Sequence, residues 1–392
     1  MPQTICYVLS SFPVLSETFV TNEIRAMRAL GHRIVPVALA PHHGPCQPED
    51  AAMRDEAVQL ADIPTLRALT LRPDRWVAAW RFVRAQHGLS ARSLLRAALR
   101  VALVIRREGC THVHAHFAHA ATATAITAAR LAGVSVSFIG HGYDIYGTPS
   151  DLPAKLAAAD LVFATCNDMA THFHALAPTA NVRMVPCGID PDRFTPRDGP
   201  RNGRLLAIGR LAEQKGYPVL LAALASLPAA QRPTVDVVGT GPLEATLQAE
   251  ARRLGVDGNV NFLGARTSTW IAAEGPGYLG LVAPFVICAN GDRDTGPMVA
   301  KEALAMGLPV VASALMGLKE MVTPACGRLV TPGDPQELAA ALVWLAGLEA
   351  AERARLGAAG RRHVQARFTL AGQAAAITAA IEAAQEMLPC AT

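Results

Sequence analysis

Short apolar runs alternate with helix-like patterns along the N-terminal half of the chain. Ile5–Ser10 has the composition of a buried strand, and a segment with one apolar face follows it and ends at Gly31. Arg33–Leu39 is a second apolar run of strand length. A strand, a helix and a strand in this order predict a βαβ unit, and hence a parallel sheet covered by helices.

The C-terminal half repeats this alternation. Pro242 suits the first position of a helix that Gly255 ends. The predicted strands of this half are Leu205–Ile208, Thr234–Val238, 259–264, 279–284 and 308–313. The chain is therefore predicted to be an α/β protein with two Rossmann-like units.

The length and one polar segment predict where these units divide. A chain of 392 residues is longer than one hydrophobic core usually serves. Residues 185–202 are rich in proline, glycine and charge, as linkers are. We predict an N-terminal domain over residues 1–187, a linker over 188–203 and a C-terminal domain over 204–369. Ligands of such domains bind beyond the carboxyl ends of the strands, so two facing sheets would place an active site in the interdomain cleft.

Composition narrows the class of protein. The 36 basic residues nearly balance the 32 acidic ones, which argues against a nucleic-acid-binding protein. The eight cysteines are scattered without a CxxC pair, so neither a disulfide framework nor a cysteine zinc site is expected. The start of the chain lacks the basic and apolar regions of a signal peptide, and no run approaches the ~18 apolar residues of a membrane span. These features predict a cytoplasmic protein.

The segment from Asp294 to Glu302 offers the most chemistry. Gly296 is predicted to be an N-cap and Pro297 the first residue of a helix that runs to about Met306. The free amide groups and dipole of such a helix start suit a diphosphate. A glutamate in an otherwise apolar helix could accept hydrogen bonds from the vicinal hydroxyls of a sugar. A surface glutamate and a turn aspartate are the open alternative.

Two glycine-containing loops follow predicted strands in the same half. Arg210 and Lys215 lie five residues apart in the loop 209–216, and two such cations suit a diphosphate, although solvated loop charges are an alternative. Gly239 and Gly241 follow the next strand without the rest of a GxGxxG motif, which favours a tight turn.

Histidines cluster near two predicted strand ends. His112, His114 and His116 alternate, so a strand would place them on one face, and a metal site is conceivable. Because no aspartate lies nearby in the sequence, hydrogen bonding in a cleft is favoured and no metal is expected. His141 stands between two glycines after an apolar run, where catalysis and loop packing are both open. The sequence Asp292-Arg-Asp294 is not interpreted as a metal-binding DxD motif.

One segment is strongly basic. Residues 64–107 hold ten arginines and a single acidic residue, Asp74, with Trp76, Trp80 and Phe82 interleaved. An amphipathic basic helix of this kind suits an anionic membrane surface. A solvated arginine-rich face over a core is the alternative. Peripheral contact with the inner face of a membrane is therefore left open.

The succession of these motifs resembles the glycosyltransferase family 4 of retaining, GT-B-fold enzymes. The resemblance covers essentially the whole chain and is closest to bacterial exopolysaccharide enzymes of the colanic-acid type. The motifs that carry it are SSFPVLSETFVTNEI, HVHAHFA, HGYDIY, VPCGID, GRLAEQKG, VVGTGPL and GDRDTGPMVAKEALAMGLPVVA. The family fold also implies that a C-terminal helix within residues 370–392 crosses back to the N-terminal domain.

The resemblance implies roles for the donor-side residues. Arg210 and Lys215 match the family's diphosphate clamp. Glu302 matches the second acid of its E-x7-E motif, which holds the ribose hydroxyls. Asp294 stands where the first glutamate contacts the sugar hydroxyls. Thr295 replaces the usual glycine after that acid, which leaves the loop less free to take a positive φ.

Further roles follow from the same resemblance. Gly296 and Pro297 match the loop that runs over the sugar and phosphate, and His141 matches the histidine near the anomeric centre. The nucleotide is expected to contact Glu302 and two loops, at Gly239, Gly241, Gly264, Ala265 and Arg266. The acceptor-side loop is expected to comprise Ser10, Ser11, Phe12, Glu17 and Thr18.

The implied activity is retaining transfer of a hexosyl group from a nucleotide-diphosphate sugar to a hydroxyl acceptor. The acceptor would be a saccharide, a lipid-linked sugar or a small metabolite. Cations and amides would stabilise the leaving diphosphate, so neither a metal nor a further cofactor is expected. A nucleotide-sugar epimerase and a non-catalytic sugar-nucleotide-binding protein are the open alternatives.

Overall fold

The structure is a computed structural model that describes residues 1–15, 17–63, 73–197, 199 and 201–387, with the backbone alone at residue 387. It divides into two compact units, Met1–Gly188 with Leu370–Thr392, and Ile189–Thr369. Much of the segment 188–203 that we predicted as a linker therefore belongs to the second unit. Within the second unit the Ile189 amide donates to the Phe368 carbonyl at 2.8 Å, so the first and last residues of this unit run side by side.

The first unit is built on a parallel sheet. Its strands in the described residues are β1 (Thr4–Leu9), β2 (Arg33–Ala38), β3 (Val58–Gln59), β4 (His112–His116), β5 (Ser135–Ile139), β6 (Leu161–Ala164) and β7 (Val182–Met184). They lie in the order β3-β2-β1-β4-β5-β6-β7. The order reverses between β1 and β4, which makes their carboxyl ends the expected ligand-binding edge.

Helices cover this sheet. They are α1 (Thr18–Ala29), α2 (Ala51–Glu56), α3 (Pro73–Arg84), α4 (Ala91–Glu108), α5 (Ala120–Ala132), α6 (Leu152–Ala158) and α7 (Asn167–Leu176). Short helical turns occupy Pro48–Asp50, Leu60–Asp62 and Tyr143–Gly147. Helix α5 is rich in alanine and threonine and is buried almost throughout, because small side chains let α3 and α4 pack closely against it.

The second unit has its own parallel sheet. Its strands are β8 (Leu205–Ile208), β9 (Val235–Val238), β10 (Val260–Gly264), β11 (Leu281–Ala283), β12 (Val310–Ser313) and β13 (Gly327–Val330). Among the described residues they lie in the order β10-β9-β8-β11-β12-β13, which reverses between β8 and β11. Each strand that the apolar pattern predicts in this half is present.

The helices of the second unit pack against this sheet. They are α8 (Tyr217–Ser226), α9 (Glu244–Arg253), α10 (Ser268–Glu274), α11 (Met298–Ala305), α12 (Leu318–Met321), α13 (Pro335–Ala346) and α14 (Ala350–Arg367). Short 3-10 turns occupy Glu213–Lys215, Ala229–Gln231, Asp257–Asn259 and Gly275–Gly277.

Two predicted helix starts were wrong. Pro242 is not the first residue of α9, because the Leu243 amide donates to the Leu211 carbonyl at 3.0 Å and holds this segment in a turn. Pro297, with ψ of 124°, is the N-cap of α11 rather than its first residue. Gly296 is not the N-cap, since its amide donates to the Asp294 side chain at 3.2 Å and keeps it in the loop.

Helix α15 (Leu370–Met387) belongs to the first unit and packs on α1. Its apolar face includes the fully buried Ile377, which joins a core that also contains Ile24 and Met27 of α1. None of the helices in the described part of the chain combines the length and the hydropathy that a membrane crossing needs.

Truncating this face tests how much α15 contributes to the first unit. We expect Ile377→Ala to lower the free energy of unfolding by about 2–5 kcal/mol, because it removes buried methyl groups and leaves a cavity. Urea denaturation measures the change. The exposed Glu386→Ala on the same helix is the control. Equal stability of the two variants would contradict the packing.

Candidate functional site

Lys215 and Asp294 meet at the point where the strand order of the second unit reverses. The Lys215 ammonium lies 2.6 Å from Asp294 Oδ2 and 4.1 Å from the centre of the Phe285 ring. The two side chains are 14% and 22% exposed, so the ion pair is partly shielded from water. A cation from the β8 loop and a carboxylate from the β11 loop are thus brought together across 79 residues of chain.

Close backbone contact fixes these two loops relative to each other. Gly216 has φ of +65°, and a Cβ at this position would lie 1.8 Å from the Pro284 carbonyl oxygen. The Val286 amide also donates to the Gln214 carbonyl at 3.1 Å. Only glycine fits this approach, so the position of Lys215 next to Asp294 depends on residue 216.

The loops after β8 and β9 are packed just as tightly. A Cβ at Gly239 would lie 2.0 Å from the Gly209 carbonyl oxygen, and one at Gly241 would lie 2.5 Å from that of Leu211. Close backbone packing therefore explains why both positions are glycine, in agreement with the prediction of a tight turn. The Gly239 amide donates to the Gly264 carbonyl at 2.9 Å, which links in the β10 loop as well. Contacts of Gly239, Gly241 and Gly264 with a nucleotide remain a prediction.

Several predicted donor-binding side chains are accessible. Arg210 is exposed, and its guanidinium forms no ion pair within the described part of the chain. Ala265 and Arg266 are exposed at the start of the segment before α10, with the Arg266 guanidinium 5.6 Å from the centre of the Trp270 ring. These side chains are free to meet an anionic or aromatic ligand.

The loop before α11 is held by a buried lysine. Lys301 is fully buried, and its ammonium lies 3.4 Å from the Gly296 carbonyl oxygen. Its neighbour Glu302 is only partly buried. Thr295, where the resembled family has glycine, is buried and does not take a positive φ, so the substitution imposes no backbone strain at this position.

Glu302 has a perturbed carboxyl group. Burial raises its pKa to about 7, although Arg193 and Lys301 act in the opposite direction. Burial disfavours the charged carboxylate, so the group changes charge near neutral pH.

In the first unit a buried carboxylate lies beneath the loops that follow β1 and β4. Glu23 of α1 accepts hydrogen bonds from the Tyr7 hydroxyl at 2.9 Å and from Gln373 Nε2 of α15 at 2.7 Å. His116 Nε2 lies 3.2 Å from the same carboxylate, and His114 Nε2 lies 3.4 Å away. We call these five residues the Glu23 cluster, and all of them are buried.

The sequence interpretation missed Glu23, although the residue has a recognisable pattern. Val20, Glu23, Ile24 and Met27 follow the 3–4 residue spacing of one helix face, and all four are buried. A single carboxylate in an apolar stripe predicts a buried partner, because an unpaired buried charge is costly. Burial alone would raise the pKa of Glu23, but the contacts with His116 and His114 outweigh it and hold that pKa below its usual range.

The cluster bears on the metal question. Atoms of Glu23, His114 and His116 lie within 4.8 Å of one another, which is a spacing that a cation could use. However, both Glu23 oxygens already accept hydrogen bonds, and these bonds account for the position of the carboxylate. The expectation that no metal binds here stays a prediction.

The expected cleft role of the alternating histidines was wrong, since all three are buried inside the unit. His112 lies 2.7 Å from the hydroxyl oxygens of both Ser135 and Ser137, and His114 Nδ1 lies 2.8 Å from the latter. The serines of the neighbouring strand β5 thus satisfy both nitrogens of His112 and Nδ1 of His114. His114 Nε2 has no hydrogen-bond partner among the described residues and lies 3.4 Å from Glu23. His116 alone continues outward to His141.

His141 lies in a short loop after β5. Its Nε2 is 3.2 Å from His116 Nδ1, and its ring centre lies 4.4 Å and 4.6 Å from those of Phe19 and Phe117. Its amide donates to the fully buried Asp144 at 3.0 Å, which fixes the loop. Burial and the nearby His116 lower the pKa of His141 well below its usual range, so the ring is neutral at neutral pH.

The predicted acceptor-side loop starts directly after β1. Ser10 is exposed and Ser11 is partly exposed, whereas Phe12 is buried in the core. Glu17 is partly buried, and burial raises its pKa even though His116 lowers it. Thr18 begins α1. A ligand could thus reach Ser10, Ser11, Glu17 and Thr18 of this loop, whereas Phe12 is covered.

Two protein-family models match the chain. One, described as Glycosyltransferase Family 4, matches residues 16–193, and the other, Glycosyl transferases group 1, matches residues 202–347. The first match lies almost entirely in the first unit, and the second lies wholly in the second unit.

Curated relatives agree with these matches. The protein WcaL of Salmonella typhimurium, named as a colanic acid biosynthesis glycosyltransferase, is 28% identical over 86% of this chain and 89% of its own. The MMP alpha-(1->4)-mannosyltransferase of Mycolicibacterium hassiacum is 35% identical over 56% of this chain and 52% of its own.

Solved structures share the fold. Anabaena Alr3699/HepE in complex with UDP has a TM-score of 0.75 at 17% identity, with 97% of this chain and 100% of that one covered. Sucrose-phosphate synthase from Thermosynechococcus elongatus has a TM-score of 0.74 at 20% identity, with 98% of this chain and 100% of that one covered. The two parallel-sheet α/β domains are those of GT-B glycosyltransferases. The chain is a glycosyltransferase with a Glycosyltransferase Family 4 domain followed by a Glycosyl transferases group 1 domain.

Proposed function

We propose that this glycosyltransferase transfers a hexosyl group, with retention of configuration, from a nucleotide-diphosphate sugar to a hydroxyl of a saccharide, a lipid-linked sugar or a small metabolite. The ion pair between Lys215 and Asp294 carries the proposal, because it combines a phosphate-binding cation with a carboxylate that can accept from sugar hydroxyls. The similar structure of Anabaena Alr3699/HepE was solved in complex with UDP-glucose. A similar protein of Corynebacterium glutamicum is named as a GDP-mannose-dependent mannosyltransferase.

The second unit would bind the donor. The exposed Arg210 guanidinium can form two parallel hydrogen bonds to a phosphate, and Lys215 adds a second positive charge. Ionised Glu302 would accept hydrogen bonds from the ribose hydroxyls. Asp294, held in place by Lys215, would contact the sugar.

Charge development on the leaving diphosphate determines the chemistry. As the bond to the anomeric carbon breaks, negative charge builds on the phosphate oxygen, where Arg210 and Lys215 stabilise it. The acceptor hydroxyl would attack from the same face, and the departing phosphate oxygen would take its proton. The side chains of this chain supply the electrostatic stabilisation, so no further cofactor is proposed.

A sugar-nucleotide-binding protein without transfer is the second candidate. It would share the donor contacts, so binding alone does not separate the two functions. Turnover of a nucleotide sugar in the presence of an acceptor distinguishes the transferase from the binding protein.

Replacing Arg210 tests the diphosphate contact. We expect Arg210→Ala to lower kcat/KM by about 100-fold or more, because a preorganised donor to the leaving group is lost. Release of nucleoside diphosphate from a panel of UDP- and GDP-sugars measures turnover. The matched control is Arg252→Ala, which removes an exposed arginine from α9 of the same unit. A rate unchanged in Arg210→Ala would reject the diphosphate assignment.

The pKa of Glu302 predicts a pH dependence of donor binding. Because this pKa is raised to about 7, most of the carboxyl groups are protonated below that pH and ionised above it. We expect affinity for the donor to rise by up to about tenfold between roughly pH 6 and pH 8, as the ionised acceptor becomes available. Thermal shift with intact UDP-glucose and GDP-mannose measures this, since their diphosphates do not titrate in that range.

The control for the pH dependence is Glu302→Gln, which carries no titratable group at this position. We expect its affinity to be low and flat with pH. An equal pH dependence in the wild type and in this variant would show that another group titrates.

We also propose that α3 contacts anionic membrane surfaces. Phe82 and Val83 of this helix are buried, whereas Val77 and Trp80 are 49% and 45% exposed. Arg81 and Arg84 are exposed as well, and one apolar and basic face thus points away from the core. The predicted basic segment 64–107 begins earlier, and its residues 64–72 lie outside the described residues.

Vesicle flotation tests this contact. We expect Arg81→Ser/Arg84→Ser to reduce binding to vesicles containing phosphatidylglycerol by roughly 30-fold, since each basic residue near the surface contributes about 1 kcal/mol. The control, Arg252→Ser/Arg362→Ser, removes two exposed charges from the second unit. Equal loss in both variants, or binding indifferent to lipid charge, would refute a specific role of α3.

A further inference from the structure

The Glu23 cluster is connected to His141 through a single ring. His116 Nε2 lies 3.2 Å from Glu23 Oε1. On the other side of the same ring, His116 Nδ1 lies 3.2 Å from His141 Nε2. Glu23 and His141 do not need to touch, because His116 lies between them. The exposed edge of the unit and its buried charge are thus joined by two consecutive hydrogen bonds.

The two imidazoles lie side by side rather than face to face. Their planes differ by only 9°, and their centres are 5.5 Å apart. That separation is about what two ring radii and the 3.2 Å nitrogen–nitrogen contact require when both nitrogens lie on the line between the centres. The arrangement is therefore an in-plane hydrogen bond, which has the directionality to transmit a proton position from one ring to the other.

The ionised carboxylate decides which nitrogen carries the proton. An ionised carboxylate only accepts hydrogen bonds, so His116 must present N–H at Nε2 to Glu23. With one proton on the His116 ring, its Nδ1 is bare and accepts from Nε2–H of His141. The neutral His141 ring then has a bare Nδ1, and this atom forms no hydrogen bond with any described residue.

We propose that Glu23 is a positioning residue for His141, acting through His116 to keep Nδ1 of His141 unprotonated, where it accepts a hydrogen bond from a sugar hydroxyl. The naming of a sugar hydroxyl as the ligand rests on the proposed function. The proton arrangement within the two rings does not depend on it.

The surroundings of His116 are consistent with this arrangement. Phe19 and Phe117 enclose His141, and no second carboxylate among the described residues contacts His116 directly. The titratable groups that face His116 are Tyr7 of β1, Glu17 before α1, Glu23 of α1, His114 of β4 and His141 after β5. Gln373 of α15 holds the other oxygen of Glu23 without adding charge.

Protonation of His116 would reverse the relay. A second proton places N–H at Nδ1 of His116, which then donates to Nε2 of His141. His141 would remain neutral but would carry its proton on Nδ1, and its outward nitrogen would become a donor. The burial of His141 supports this behaviour, because burial disfavours a charged ring and favours exchange between the two neutral tautomers.

Nitrogen-15 NMR of the full chain labelled in its histidines tests the proposal without any donor or acceptor. In the wild type at neutral pH we expect Nδ1 of His141 at the shift of an unprotonated nitrogen and Nε2 at that of a protonated one. In Glu23→Gln the amide can either donate to His116 or accept from it, so we expect the Nδ1–H tautomer of His141 to appear. We also expect kcat to fall at least about tenfold, as when a histidine loses the carboxylate that fixes its tautomer.

Tyr7→Phe is the matched control. It removes a hydrogen bond to the same oxygen of Glu23 but leaves the carboxylate ionised. We expect the His141 tautomer to be unchanged in this variant, whereas a merely structural role of the cluster would disturb both variants alike.

Two results would overturn the proposal. One is a protonated Nδ1 of His141 in the wild type, which decides the question even if Glu23→Gln does not fold. The other is a folded Glu23→Gln with the wild-type tautomer. Failure of the proposed function has a different signature, because the wild type would then release no nucleoside diphosphate from any donor and acceptor tested, while the NMR result stands.

Discussion

The organisation of the first unit depends on one buried charge. Glu23 is an ionised carboxylate in a helix face that is otherwise apolar, and an isolated charge in such a place would cost far more than a single unit can offset. Its partners come from β1, β4 and α15, so three separate elements must be in place before the charge is satisfied. The cluster thus ties these elements together and connects the interior of the unit to the edge where ligands are expected to bind.

In the second unit, a charged side chain on a loop is held in a different way. Lys215 lies on a segment whose backbone is pressed against the β11 loop at Gly216, and the partner carboxylate Asp294 comes from that loop. Backbone packing, rather than side-chain burial, fixes the pair. The two side chains are only 14% and 22% exposed, so water screens the ion pair in part.

Local patterns predicted more of this protein than the distant pairings did. The strand Leu205–Ile208 has the predicted bounds, because a short apolar run between turn residues fixes both ends. The helix start at Met298 was misplaced by one residue, since the hydrogen bond that decides it joins Gly296 to a side chain two residues earlier.

Lys215 and Asp294 were expected on the same site from the family resemblance, but their direct contact depends on backbone packing that no spacing encodes. Glu23 illustrates an overlooked pattern, because its position on the apolar face of α1 predicts a partner but not which one.

The placement of α15 has a consequence for how the chain acquires its structure. Ribosomes deliver residues in order, and domains generally fold as units during synthesis. The second unit is contiguous from Ile189 to Thr369 and can complete its core as soon as that stretch has emerged. The first unit cannot, because Gln373 and the apolar face of α15 follow the second unit in the chain. The unit that is synthesised first is therefore completed after the second unit. The Glu23 carboxylate can accept its hydrogen bond from Gln373 only once residue 373 has been synthesised.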